Sequence, residues 1–96
     1  MNSDFTVRRN PAASSYEADI DGHLAVAEYL LEDDRMIFTH TFVPPELRGR
    51  GVAEKLVRTA LEEARQEGRR VVPQCSYVAL FIRRQRNQPG VRCLEP

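Results

Sequence analysis

The chain has 96 residues, 42% apolar and 29% charged, with 14 basic and 14 acidic side chains. That length holds a single core, so residues 1–96 read as one domain. The longest apolar run, Val78 to Ile82, falls far short of the roughly 18 residues a membrane-spanning helix needs. Met1-Asn2-Ser3-Asp4 shows no basic stretch leading into an apolar one, so a cytoplasmic location is expected.

Zero net charge conceals an asymmetry. Residues 1–47 hold three basic and nine acidic side chains, a net −6, and residues 48–96 hold eleven and five, a net +6. A basic half in a neutral chain suits a local anionic ligand better than a long polyanion, although a merely dipolar surface gives the same count. Nucleic acid is disfavoured, because no recognised motif or aromatic stacking pattern accompanies the arginines. Cys75 and Cys93 are too few for a disulfide framework and are expected to be free thiols. No His/Cys spacing points to a metal.

In chain order, Phe5 to Asn10 reads as a short strand, interrupted by Pro11-Ala12-Ala13. Tyr16, Ala18 and Ile20 alternate with charged residues, the period of a strand. Asp21-Gly22 is a hairpin turn, since both residues tolerate positive φ. His23 to Leu31 continues the alternation, and Glu32-Asp33-Asp34 turns the chain again. Met36 to Val43 is β-branched and aromatic on both sides, which marks a central strand. Strict alternation divides it into Met36, Phe38, His40 and Phe42 against Ile37, Thr39, Thr41 and Val43. Short connections make these strands an antiparallel meander.

Pro44-Pro45 ends the meander, and the period then changes. Val52, Ala53, Leu56, Val57, Ala60, Leu61 and Ala64 mark one face of a four-turn helix, with Gly68 suited to the position after its end. Val71 to Gln74 reads as a short strand parallel to the central one. A second helix is expected from Cys75 or Ser76 through Arg86, with Arg83, Arg84 and Arg86 at its negative end. The last six residues are expected to form a loose tail or a short edge element. The fold class is α+β: a mixed, mostly antiparallel sheet with a C-terminal βαβα unit.

Chemistry concentrates in Arg48-Gly49-Arg50-Gly51-Val52-Ala53, between a strand and a helix. Two glycines permit a tight turn and close approach of a ligand, and the first helical amides lack internal acceptors. Such a loop cradles a phosphate or pyrophosphate, or is simply a turn with surface arginines. It is neither a GxxxxGK[ST] nor a GxGxxG loop.

Arg48-x-x-Gly51-x-Ala53 resembles the acyl-coenzyme A signature of the GNAT N-acetyltransferase superfamily. Thr39-His40-Thr41, Val43 to Gly51 and Val71 to Val78 are similar to its small stand-alone YjdJ-type subgroup. The resemblance spans roughly Phe5 to Asn87. It implies a sheet that splays between the strand before the signature and the strand after the helix, with coenzyme A in the splay. The pyrophosphate would meet Arg48, Gly49, Arg50, Gly51, Val52 and Ala53, and the pantetheine arm would run along Phe42 and Val43. The resemblance also implies a reactive cysteine at Cys75 and a base at His40, an imidazole being the residue type that exchanges protons near neutrality. The two would form a thiol pair if they meet across the splay. Helix-dipole stabilisation of a thiolate at Cys75 fits the residues independently. Phe42 stands where many relatives carry a carboxylate, which shifts the base role toward His40 or water. Tyr77 is read as a core aromatic or a proton donor, and His23 as solvated.

The function so implied is acetyl-CoA-dependent N-acetylation of an amine, directly or through an acetyl-cysteine. A coenzyme A-binding module acting through a protein partner is the alternative. Asn10 to Tyr16 replaces two helices of larger members, so an open acceptor side is expected, in a monomer or weak dimer.

Overall fold

The computed structural model describes residues 5–86, with the side chains of 85 and 86 outside the description. Strands β1 (Arg8–Asn10), β2 (Ser15–Ile20), β3 (His23–Glu32) and β4 (Arg35–Phe42) precede helix α1 (Val52–Gln66). Strand β5 (Arg70–Pro73) and helix α2 (Ser76–Arg86) follow. The sheet order is β1-β2-β3-β4-β5, antiparallel except for the parallel β4–β5 pair. The architecture is the α+β mixed sheet expected from the sequence. The expected C-terminal tail, with Cys93, lies outside the described residues.

Local chemistry accounts for the boundaries. Asp21 and Gly22 take φ of 54° and 80°, which turns β2 tightly into β3. After α1, the Gly68 amide bonds Arg65 O and the Arg69 amide bonds Ala64 O, closing the helix with Gly68 at positive φ. Strand β1 is shorter than the alternation suggests, because Lys55 captures the chain before it. The Lys55 ammonium donates to Phe5 O at 2.6 Å and sits 4.6 Å from the centre of the Phe5 ring.

Helix α1 buries Val52, Leu56, Val57, Ala60, Leu61 and Ala64 against the sheet. The small Ala18, Ala25 and Ala27 let it approach closely, and Tyr16, Met36 and Phe38 fill the space around them. Val78, Phe81 and Ile82 of α2 join the same cluster, so both helices cover one face. Arg9 fastens β1 to this face. Its guanidinium lies 5.4 Å from the Tyr16 and Tyr29 ring centres and donates to Glu63 and Glu67. The Tyr16 hydroxyl also donates to Glu63, at 2.8 Å.

Strict alternation fails in β4. Tyr29 pairs with Phe38, but Glu28 pairs with His40, leaving Thr39 as an extra residue in a bulge. The Thr39 hydroxyl donates to Glu28 O at 3.4 Å. Side chains beyond the bulge therefore exchange faces. Thr41, paired with Ala27, joins Phe38 on the helical face, while His40 and Phe42 join Glu28 and Val26 on the other.

Candidate active site

Strands β4 and β5 part at their last shared rung, Phe38 opposite Pro73. Alternate amides of β5 face β4, beginning with Arg70 on Asp34 O, so the next donor after Val72 would be Gln74. The Gln74 amide bonds back to Val72 O, and the Cys75 amide reaches Phe38 O at 2.8 Å as the chain enters α2. Beyond Phe38, β4 runs on beside β3 alone, and a slot opens between it and the start of α2.

The loop after β4 forms one wall. Leu47, in a 3-10 turn from Pro45, is buried and anchors it. Arg48 Nε donates to Val43 O at 3.1 Å, folding that side chain back on the end of β4. Gly49 and Gly51 take φ of 82° and 76°, and a Cβ at either would meet nothing within 4 Å. The backbone conformation requires glycine there, while the space outside stays open.

Gly51 caps α1 without a side-chain acceptor, and the first helical bond runs from the Lys55 amide to Gly51 O. The amides of Val52, Ala53 and Glu54 therefore have no helical acceptor. They border a cleft of about 220 Å³ lined also by Val43, Arg48, both glycines and Tyr77. Glu54, the one carboxylate in its wall, is paired with Arg58 at 2.5 Å. Free amides at a helix start, flanked by glycines, fit a phosphate group. Weaker contacts tie the loop to the β2–β3 turn: Arg50 lies 3.9 Å from Asp21, and the half-buried His23 lies 3.7 Å from Glu46.

Cys75 closes the other side of the slot. Its carbonyl accepts from Ala79 N, so it caps α2, and its partly buried Sγ lies 3.5 Å from Thr41 Oγ1. Burial pushes the thiol pKa up, but the Thr41 hydroxyl and the backbone groups of Val78, Tyr77 and Thr41 outweigh it, and the net direction is down. A hydroxyl and helix-start amides on one sulfur favour the thiolate, the nucleophilic form. Tyr77, two residues on, is pushed up, first by burial and then by the Glu54 charge, so its phenol stays protonated at neutral pH.

The structure thus sets Cys75 beside Thr41, while Tyr77, two residues on, lines the cleft with Val43, Arg48, Gly49, Gly51, Val52 and Ala53. Arg50 stands apart, turned toward Asp21. The expected meeting of His40 with Cys75 does not occur: the bulge turns His40, exposed, to the opposite face. The Phe42 side chain goes with it, leaving only the Phe42 backbone beside the slot. Thr41 holds the position beside the thiol instead. Its one signal in the sequence was adjacency to His40, and alternation placed it on the wrong side. Among the described residues, no cluster of three His, Cys, Asp or Glu could hold a metal, and no helix is long and apolar enough to cross a membrane. Compared with known families, residues 15–89 match the model of one described as GCN5-related N-acetyl-transferase.

Proposed function

Because this chain belongs to the GCN5-related N-acetyltransferase family, we propose that it transfers the acetyl group of acetyl-CoA to an amine by way of Cys75. The observation that supports this most directly is the thiol of Cys75, 3.5 Å from Thr41 in the slot and two residues before Tyr77, which lines the cleft. The free amides of Val52 and Ala53, the open space at Gly49 and Gly51, and Arg48 suit the cofactor's pyrophosphate. The backbone of Phe42 and Val43 borders the path of the pantetheine arm. Bound there, acetyl-CoA supplies an activated acetyl thioester.

The Cys75 thiolate attacks the acetyl carbonyl: a new S–C bond forms, and the bond to the coenzyme A sulfur breaks. Exchange of one thioester for another is nearly balanced in free energy. An unprotonated amine then attacks the acetyl-cysteine carbonyl, its proton passes to water, and the Cys75 thiolate is restored. The reading gives His40 no part at the thiol, since β4 separates them.

Intact-protein mass spectrometry after incubation with acetyl-CoA tests the reading. An acetyl adduct that survives denaturation in wild type and is missing in Cys75→Ala is the expected result. Retention of the cofactor under native conditions without that adduct would overturn the cysteine step and favour direct transfer or a coenzyme A-binding module. Absence of any cofactor binding would overturn the reading altogether.

A further inference from the structure

Among the described residues, both helices lie on one face of the sheet, and no helix covers the other. The register lays that second face out in rows. Glu28 of β3 stands beside His40 of β4. Val26 and Phe42 flank this pair on one side, and Leu30, Ile37 and Val72 flank it on the other. Leu30 is 56% exposed and Phe42 44%, Val26 and Val72 are half-buried, and Ile37 is buried. A sheet face left to water is ordinarily polar between its strand ends, and contiguous exposed apolar side chains mark a contact surface. Farther out, the face carries internally neutralised pairs, Arg8 with Glu17 and Arg35 with Glu32.

We propose that this face is the contact between two copies of the chain, related by a two-fold axis running along the strands between β3 and β4. Such an axis exchanges the two strands and keeps every row in place. It sets Glu28 against His40 of the second copy and Val26 against Phe42, and it brings Leu30 over the row of the buried Ile37. Each contact occurs twice, as an isologous interface requires. A two-fold axis across the strands would instead set Glu28 upon Glu28, so the layout selects both the partner and its orientation.

Size permits the contact. The molecule measures 34 × 34 × 21 Å. A broad face of that extent can supply the roughly 800 Å² per partner of an ordinary stable interface. Two sheets packed in this way lie about 10 Å apart with their strands nearly aligned.

Sedimentation velocity on the full chain, from micromolar to near-millimolar concentration, tests the proposal. Wild type is expected to show a reversible monomer–dimer equilibrium, and Leu30→Asp to raise its dissociation constant at least about tenfold. Glu28→Lys and His40→Glu should each weaken dimerisation. An equimolar mixture of those two variants should restore it, because the introduced lysine then meets the introduced glutamate while Glu28 still meets His40. Only contact between copies produces rescue on mixing. All three positions are exposed or at the strand surface, and circular dichroism checks that each variant folds. A wild type that stays monomeric throughout would overturn the proposal, as when residues 87–96 or a different protein cover the face. So would a dimer indifferent to all three substitutions.

Discussion

The two halves of β4 divide the labour of the molecule. Met36 to Phe38 pair with β3 on one edge and β5 on the other, and all three side chains are buried. Beyond the bulged Thr39, His40 to Phe42 pair with β3 alone, and this half carries hydroxyls, an imidazole and an exposed ring. One half is bonded and packed to capacity, which stabilises the domain. The other keeps the Thr41 hydroxyl beside Cys75 and an edge of backbone that β5 does not pair. The contrast teaches that a single strand can be core for half its length and reactive site for the rest, with the change occurring at a one-residue bulge.

Substitution should separate the halves by the quantity that responds. The largest effect is expected from Phe38→Ala, 1% exposed in the wild type, at about 3–5 kcal/mol. In a domain of this size that lowers the melting temperature by well over ten degrees. A loss below about 1 kcal/mol in a circular-dichroism melt would break the comparison.

Gly51→Ala comes next, since a Cβ at φ 76° costs about 1–2 kcal/mol. It should also weaken coenzyme A binding several-fold by calorimetry. Gly22→Ala, at φ 80° in the distant hairpin, is expected to cost similar stability while leaving affinity unchanged.

Thr41→Val should move stability by less than about 1 kcal/mol, yet raise the Cys75 thiol pKa and slow its alkylation at neutral pH. Thr41→Ser should restore both. If the valine variant melts far below wild type, or alkylates at the same rate, Thr41 belongs to the packed half.

The smallest effect concerns the far edge of the sheet. Glu17 is buried and accepts from Ser15 at 2.9 Å, Asn10 at 3.1 Å and Arg8 at 3.1 Å. The Ser15 hydroxyl, then Asn10 and Arg8, hold its pKa below the ordinary carboxylate value against the opposing effect of burial. A group depressed on folding stabilises the fold above its unfolded-state pKa, and that stability is lost as pH falls through the folded-state value. Urea unfolding should therefore weaken in acid, and Glu17→Gln should flatten that acid limb. An unchanged limb would show that Glu17 does not carry it.

Much of this was legible from residue order alone. The turns at Asp21-Gly22 and Glu32-Asp33-Asp34, the change of period after Pro45, and the start of a helix at Cys75 depend on neighbours in sequence. So does the glycine loop. The bulge was not legible, because Thr39-His40-Thr41 offers a polar side chain in either phase of the alternation. Nothing local decides which of them faces the core; the pairing of Glu28 with His40 does. The thiol's true neighbour was hidden for the same reason. Strand β1 was overextended because Phe5 is held by Lys55, fifty positions away.

The turn of the chain at Gln74 carries one more consequence. Where two strands part beside a site, thermal fluctuation ordinarily lets them close and reopen, and a ligand then binds only the open fraction, with its apparent affinity reduced in proportion. Here the Gln74 amide that would extend the ladder is already bonded to Val72 O, and the Phe38 carbonyl is taken by the Cys75 amide, so closure would first have to break both. The entrance stands ready before any visitor arrives. Arrival should accordingly follow encounter alone, in a single kinetic phase whose rate keeps rising with ligand concentration and never levels off to wait for the protein.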